Sequence, residues 1–453
     1  MLSPYTVLDL TDERGELAGM LLGDMGADVI KVEPPNGSSS RRMPPFLDDA
    51  PEPERSLQFF AFNRNKRSIT LDLPSQAGRS ALLGLVAKAD FLIESANPGE
   101  MSGMGLGFDD LRKANPLLIH VAITAFGQDG PYAQMAASDL TLAAMGGPMS
   151  LQGSPDRPPV RLSVPQVWLH ASAEAAVGAL TAHALMVRTG EAQFVDVSAQ
   201  TAMVWTMLHG MAAHAIQGYD FNRGGSDIQL GTMTLPLVYQ CADGHVVLIT
   251  SGATMSKMVY WLVEDGIVPA EWIEGEDWPT YERRFLQGEP VTYAVDQVID
   301  ALRRYVLPYT KNQLLERGLR ESVTVAPVST VEDLARFRQL EERGYWLQAP
   351  LPNGREIPAP GVVAKLTATP MEVRRWAPTL GQHNDEVLGG MLGLSAQEIS
   401  AAIGAVQRPS RRRRVAPSPS KGEGWDRVEI ANHLPFEGVK IADFSWVAVG
   451  PIT

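Results

Sequence analysis

Asp139 is the residue of this chain whose type and position most directly suggest chemistry. It opens a largely apolar stretch, residues 140–145, that ends in the paired glycines Gly146 and Gly147. A carboxylate beside an apolar interior is costly unless it is paired or used in a reaction. A helix cap is the alternative role, because Ser138 and Asp139 precede a helix-like run and both are favoured capping types. The local sequence leaves both interpretations open.

The sequence lacks the common motifs of other catalytic classes. It contains no G-x-x-x-x-G-K-[ST] phosphate loop, no G-x-S-x-G nucleophile elbow and no H-E-x-x-H zinc motif. Gly103, Gly105 and Gly107 approach a dinucleotide fingerprint, but Asp110 stands at the last required position. The eight histidines show no metal-ligand spacing, so we expect no metal site. A carboxylate nucleophile is the chemistry that remains.

Composition narrows the classes of partner. The chain has 453 residues and a net charge of −13, which argues against nucleic-acid binding but leaves room for a local basic pocket. The single cysteine, Cys241, excludes an internal disulfide. The first residues lack the basic start and apolar run of a signal peptide, and no apolar run reaches the ~18 residues of a membrane span. We therefore expect a cytoplasmic protein without a membrane partner.

The elements that must position Asp139 alternate between strands and helices. Strand-like runs are predicted at residues 5–10, 27–33, 68–73, 90–94, 117–124 and 194–198. Helical spacing is predicted at residues 16–25, 75–88, 108–115, 164–187 and 199–217. Alternation of this kind predicts an α/β fold with an open, parallel, Rossmann-like sheet.

Changes of composition suggest the domain organisation. We expect residues 1–223 to form most of a large domain, residues 224–328 a second, smaller α+β domain, and residues 329–405 a return segment that completes the large domain. Residues 406–433 carry four consecutive arginines with several prolines and serines, which predicts a disordered linker.

The last segment, residues 434–453, resembles the beginning of the chain. Phe436-Glu-Gly-Val-Lys-Ile-Ala-Asp-Phe-Ser445 repeats the pattern of Tyr5-Thr-Val-Leu-Asp-Leu-Thr11, with Asp443 in the place of Asp9. We interpret it as the start of a second copy of the domain, cut off in this sequence.

An ordered set of segments over residues 5 to 400 resembles the class III CoA-transferases, the family of the L-carnitine, bile-acid and formyl-CoA transferases. The segments are Gly26-Ala-Asp-Val-Ile-Lys-Val-Glu33-Pro34, Asn65-Lys-Arg-Ser-Ile-Thr-Leu-Asp-Leu73, Glu94-Ser-Ala-Asn-Pro-Gly-Glu-Met101, Ala125-Phe-Gly-Gln-Asp-Gly-Pro-Tyr132, Asp139 with Gly146-Gly147, and Pro378-Thr-Leu-Gly-Gln-His-Asn384.

The resemblance implies a function and a set of site residues. Asp139 matches the covalent nucleophile, which receives CoA from an acyl-CoA and passes it to a carboxylic acid without a metal or redox cofactor. The remaining positions imply contacts with CoA, and Arg41 and Arg42 could assist them. These positions are Asn65, Lys66, Arg67, Asn97, Met101, Phe126 and Gly127. The family forms interlocked dimers, so we expect a homodimer or an intramolecular pseudo-dimer with the second copy.

Departures from the family pattern keep two other functions open. Asn97 and Gly103 stand where many members have arginine, and the loop after the first strand lacks the usual proline. These changes favour a non-catalytic, CoA-binding half of a tandem protein. A 2-methylacyl-CoA racemase is the other alternative, although such racemases resemble this segment with histidine in the place of Ser138.

Overall fold

The computed structural model describes residues 1–230, 233–250 and 252–404, which form two compact units. The first unit comprises Met1–Pro148, Leu162–His209 and residues 347–404, and the second comprises Met149–Arg161 and the described part of Gly210–Trp346. The predicted linker, 406–433, and the predicted second copy, 434–453, lie outside the described residues.

A six-stranded parallel sheet forms the centre of the first unit, and its strand order is β3-β2-β1-β4-β5-β6. Its strands are β1 (Thr6–Leu10), β2 (Asp28–Glu33), β3 (Lys66–Thr70), β4 (Phe91–Glu94), β5 (Ile119–Thr124) and β6 (Phe194–Ser198). This is the order of a doubly wound Rossmann sheet, in which the winding reverses between β1 and β4. The predicted fold class is confirmed.

The strands alternate their side chains between two apolar layers. On β1, Val7 joins the layer that contains α1, α7 and α8, whereas Leu8 joins the layer that contains α3, α5 and α16. The helices of the whole chain are α1 (Glu16–Asp24), α2 (Leu57–Phe62), α3 (Gln76–Val86), α4 (Glu100–Gly103), α5 (Phe108–Ala114), α6 (Asp139–Met145), α7 (Val167–Thr189), α8 (Ala199–Trp205), α9 (Leu208–Gln217), α10 (Gly252–Glu264), α11 (Trp278–Leu286), α12 (Val295–Val306), α13 (Lys311–Glu321), α14 (Val331–Ala335), α15 (Arg338–Glu342) and α16 (Ala396–Ile403). A π-helical segment spans Asp385–Met391.

One predicted helix is divided in the structure. The run predicted over residues 199–217 forms α8 and α9, because α8 ends in a tight turn at Thr206. Thr206 donates both its backbone N–H and its hydroxyl to the carbonyl of Met203. These i to i−3 bonds close the last turn, and apolar spacing gives no sign of them.

A buried ion cluster joins the first three strands to α1. The Lys66 ammonium donates to Asp9 Oδ2 at 2.7 Å, and Lys31 lies 3.4 Å from Asp9 Oδ1 and 3.2 Å from Glu16 Oε1. The side chains of Asp9, Lys31 and Lys66 are fully buried. Because buried charges need partners, each carboxylate here fixes the position of a neighbouring strand.

The pKa values in the cluster reflect two opposing influences, burial and the charges of the neighbouring side chains. Burial alone would raise the pKa of Asp9, but Lys31 and Lys66 lower it to about 2. Burial would lower the pKa of Lys31, yet Asp9 and Glu16 raise it. Burial dominates at Lys66, whose pKa lies below its usual value.

The return segment covers the outer edge of β3, the edge strand of the sheet. The Asn65 N–H donates to the carbonyl of Arg375, and Ser68 exchanges bonds with His383 through its N–H and its carbonyl. The Thr70 N–H donates to the side chain of Asn384 at 2.8 Å. Residues 375–384 therefore satisfy backbone groups that an open edge would leave available to another chain.

The second unit is built around a three-stranded antiparallel sheet in the order β11-β10-β9. The strands of this sheet are β9 (Val238–Cys241), β10 (Gly244–Leu248) and β11 (Val325–Pro327), and β7 (Asp227–Leu230) and β8 (Met233–Pro236) form a separate pair in the same unit. The two-stranded pair of β12 (Trp346–Pro350) and β13 (Glu356–Pro360) follows in the chain, where the first unit resumes. Helices α10 to α13 pack in the second unit around Trp261, Trp278 and Tyr305.

The bounds of this unit are wider than the expected range of 224–328. The unit begins at Gly210, ends at Trp346 and includes Met149–Arg161. A change of composition shows where polarity changes along the chain, whereas the unit is defined by which residues pack together.

We predict that Lys66→Met lowers the free energy of unfolding by about 3 kcal/mol, because it removes one partner of a buried ion cluster. Chemical denaturation followed by circular dichroism measures the change. Lys113→Met is the matched control, since Lys113 is three-quarters exposed and pairs with Asp110 on the same helix. Equal, small effects of the two substitutions would contradict a structural role for Lys66.

Candidate active site

A pocket of about 660 Å³ lies at the carboxyl ends of β1, β2, β3 and β4. Its lining comes from residues 10–12 and 14, 32–39 and 42, 71–74, and 94–97, 100, 101 and 104. Open α/β sheets bind ligands at the carboxyl ends of their strands, where the strand order reverses. The pocket spans this reversal, between β1 and β4.

Arg41 shapes the part of the pocket that follows β2. Its guanidinium is fully buried, contacts both oxygens of Glu33 at 2.7 and 2.9 Å, and lies 3.7 Å from the centre of the Phe59 ring. Burial would raise the pKa of Glu33, but Arg41 holds it below its usual value. Glu33 also accepts the N–H of Ser38. The Arg41 guanidinium thus stabilises the loop through internal contacts.

Arg42, the next residue, is exposed at the pocket. Its guanidinium donates to the backbone carbonyls of Asn36 and Gly37. Because no carboxylate among the described residues pairs with it, Arg42 is suited to an anionic ligand group.

The loop after β1 is tied to the loop after β4. The N–H of Asp12 donates to Ser95 Oγ, and the Ser95 hydroxyl donates to Asp12 Oδ1, both at 2.9 Å. The guanidinium of Arg14 pairs with Asp12 at 2.7 Å and donates to Asn97 Oδ1 at 3.4 Å. Burial would lower the pKa of Arg14, but Asp12 raises it.

Asp139 is the first residue of α6, and its carboxylate contacts a different helix. Oδ2 accepts the backbone N–H groups of Gln166 at 3.0 Å and Val167 at 2.8 Å, at the N-terminus of α7. The N-cap of α6 is Ser138, whose Oγ accepts the N–H of Thr141. The capping interpretation is therefore correct for Ser138, and the half-buried carboxylate of Asp139 is oriented by two backbone donors.

Two hydrogen bonds connect the Asp139 segment to residues that border the pocket. Gln134 Nε2 donates to the carbonyl of Pro98, beside Asn97. The Ser172 hydroxyl on α7 lies 3.2 Å from the carbonyl of Arg14. Ser172 follows Val167 by five residues, which is about 7.5 Å along a helix. Asp139 itself is not among the lining residues. The segment before it contacts Pro98, and the helix that orients it contacts Arg14.

Phe126 and Gly127 begin the loop that leads from β5 to Asp139. The N–H of Gly127, a residue with φ of +95°, donates to Thr124 Oγ1 at 2.9 Å. The N–H of Gln128 donates to Asp196 Oδ2 at 2.9 Å, and burial raises the pKa of Asp196. The loop is thus anchored to β5 and β6. Neither Phe126 nor Gly127 lines the pocket.

Of the residues predicted to contact CoA, Asn97 and Met101 line the pocket. Asn65 donates to Asp24 and accepts the N–H groups of Arg374 and Arg375. The contacts of Asn65, Asn97 and Met101 with CoA stay predictions. The same holds for Lys66 and Arg67.

Lys66 and Arg67 are also engaged by internal partners. Lys66 belongs to the buried ion cluster, and Arg67 pairs with Asp28 and Glu386. Neither residue lines the pocket. A direct contact of Lys66 or Arg67 with CoA stays a prediction.

Several pocket residues were not singled out from the sequence. Arg14, Ser38, Ser39 and Met104 line the pocket. Their position in loops that follow strands of a parallel sheet was a usable signal. The donors to Asp139 are backbone groups, which residue types do not reveal.

In the described part of the chain, we find no group of three or more His, Cys, Asp or Glu side chains placed to hold a metal ion, and no helix with the length and hydrophobicity needed to cross a bilayer.

The sheet, the pocket at its reversal point and a backbone-oriented carboxylate define an α/β protein of the Rossmann type with a candidate nucleophile. Comparison with known proteins identifies the family. The model of CoA-transferase family III matches residues 2–384, and the chain belongs to this family.

Named relatives and a solved structure agree with this assignment. The succinyl-CoA:(R)-benzylsuccinate CoA-transferase subunit BbsE of Thauera aromatica is 32% identical over 394 residues, with 85% of this chain and 93% of the relative covered. The succinyl-CoA–D-citramalate CoA-transferase of Chloroflexus aurantiacus is 30% identical over 387 residues, with 85% and 92% covered. A CAIB/BAIF family protein from Brucella suis is 25% identical, with a TM-score of 0.72 over 85% of this chain and 98% of that one. The protein is a CoA-transferase.

We predict that Asp196→Ala loosens the loop after β5, because the N–H of Gln128 loses its acceptor. One hydrogen bond corresponds to roughly a 3- to 10-fold increase in local amide exchange. Hydrogen–deuterium exchange with mass spectrometry on peptides covering residues 125–135 measures it. Asp196→Asn keeps a side-chain acceptor and should exchange at the wild-type rate; equal acceleration in both variants would contradict the role assigned to this bond.

Proposed function

We propose that the protein transfers CoA from an acyl-CoA thioester to a carboxylic acid through covalent intermediates on Asp139. The observation that carries the proposal is the setting of Asp139, whose carboxylate is oriented by two backbone N–H groups at the start of α7. A carboxylate is a weak nucleophile in water and becomes effective when it is held against the reacting carbonyl.

The reaction has two halves of two steps each: the first half transfers CoA from the donor to Asp139, and the second transfers it from Asp139 to the acceptor acid. An oxygen of Asp139 attacks the thioester carbonyl and the C–S bond breaks. This step expels CoA as its thiolate and forms a mixed anhydride between the acyl group and Asp139. The thiolate then attacks the aspartyl carbonyl, which releases the first carboxylic acid as a carboxylate and leaves an aspartyl-CoA thioester. The acceptor carboxylate repeats both steps in reverse order, and Asp139 is regenerated. No net proton or electron is exchanged.

The pocket is the proposed site of the CoA nucleotide. Asn97 and Met101 contribute a polar and an apolar contact, and the apolar walls include Val32 and Leu73. CoA carries several phosphate charges, and Arg42 is an exposed cation at this pocket. Because Asn97 and Gly103 stand where many family members have arginine, we expect Arg42 to contribute more to phosphate binding here.

The dimer implied by the family is also part of the proposal. Large apolar side chains are exposed on α8 and at the start of α9, namely Trp205 and Leu208. A run of this kind marks a surface that packs against another chain. A second copy of this chain is the partner that we propose.

A racemase remains the second candidate of the sequence argument. It would need a base at the position before the nucleophile to remove the α-proton. In the structure, Ser138 occupies this position and its side chain caps α6. This contact favours CoA transfer over racemisation.

We predict that Asp139→Ala lowers kcat by roughly 10⁴-fold or more, as removal of a covalent nucleophile does in other enzymes. Incubation with acyl-CoA followed by hydroxylamine or borohydride, with peptide mass spectrometry, should detect an adduct on Asp139 in the wild type alone. Asp110→Asn, an exposed acid on α5, is the control and should retain both activity and adduct. An unmodified Asp139 across a panel of acyl-CoA donors would instead favour the non-catalytic, CoA-binding half.

We predict that Arg42→Met raises the KM for every acyl-CoA donor by about tenfold, because one charge-assisted contact with phosphate is lost. Steady-state kinetics at two salt concentrations measures it, and the salt dependence should weaken. Arg336→Met removes an arginine that is four-fifths exposed and serves as the control. An unchanged KM would remove Arg42 from the CoA site.

A further inference from the structure

Arg14 is a cation at the border between the pocket and the Asp139 segment. It lines the pocket, and one quarter of its side chain is exposed. Its guanidinium is held by Asp12, which is exposed to the same extent, and by Asn97. The proposed function uses none of these contacts.

The surroundings of Arg14 point towards the reacting group. Its carbonyl meets Ser172 on α7, whose N-terminus orients Asp139. Asn97, its other neighbour, precedes Pro98, which contacts the segment that leads to Asp139. The backbone of Arg14 thus contacts the helix that orients Asp139, and its guanidinium contacts Asn97, whereas Arg42 lies in the loop after β2.

Arg14 is one of two cations among the acidic residues that line the pocket. Among the described residues that line it, the cations are Arg14 and Arg42, and the acids are Asp12, Glu33, Asp72, Glu94 and Glu100. A free carboxylate on a substrate would be repelled by this lining unless a cation met it. The two named relatives act, by their names, on succinyl-CoA and on dicarboxylic acids.

We propose that Arg14 binds the distal carboxylate of a dicarboxylic acyl group and so determines the substrate class. The proposal rests on the proposed CoA-transfer function. Asp12 holds the guanidinium in the free protein and remains its second partner when the substrate carboxylate binds. A partly exposed ion pair contributes little free energy, so its rearrangement costs little. A planar guanidinium suits a carboxylate because it can donate two parallel hydrogen bonds.

The test compares two donors that differ only in the distal carboxylate, succinyl-CoA and butyryl-CoA. Their dissociation constants are measured by calorimetry on Asp139→Asn, which keeps a side-chain acceptor at position 139 but prevents the reaction. Arg14→Met, added to this background, should weaken succinyl-CoA binding by roughly 10- to 100-fold and change butyryl-CoA binding less than about twofold. Arg14→Lys should restore part of the difference.

Arg42→Met is the matched contrast, because it should weaken both donors equally through their common CoA part. Equal weakening of both donors by Arg14→Met would overturn the proposal, as would equal affinity of the two donors for the protein that retains Arg14. The binding ratio decides the role of Arg14 whether or not the wild-type protein turns over. A wild type that binds both donors but transfers CoA from neither would instead refute the proposed function.

Discussion

The first unit depends on the buried ion cluster in which one carboxylate, Asp9, serves two lysines on two neighbouring strands. Charges removed from water are stable only with close partners, so the cluster tolerates little change of register. Asp9 lies on β1, Lys31 on β2 and Lys66 on β3. The same three strands end at the pocket. The positions of the ligand-binding loops are therefore set by electrostatics inside the sheet as well as by apolar packing.

The site itself combines fixed and adjustable parts. Arg41 and Glu33 are locked together inside the loop after β2, and backbone groups of α7 hold Asp139. Arg14 and Arg42 are more exposed, and their contacts are to partly exposed groups or carbonyls. Such a division suits the proposed function, in which Asp139 keeps one position while substrates of different shape exchange.

The fold could be predicted because its signals are local. The strands of the sheet other than β3 are short runs rich in apolar residues, and Ser75 caps α3 as its type and position indicated. The role of Lys66 could not be predicted, because its burial depends on Asp9, 57 residues earlier. The pairing of Asn65 with the backbone near residue 374 depends on a partner 309 residues away. Residue types at Asp139 suggested a cap, but only three-dimensional proximity shows that α7 is the helix that it caps.

The covering of β3 by the return segment has a consequence for biosynthesis. The outer edge of β3 is completed by residues 375–384, and residues Gly210–Trp346, which pack into the second unit, are translated in between. Until residues 375–384 have been synthesised, the outer edge of β3 lacks the partners that they supply. An uncovered strand edge is a template for pairing with other strands. The completion of a strand made early in synthesis thus waits for a segment made about 300 residues later.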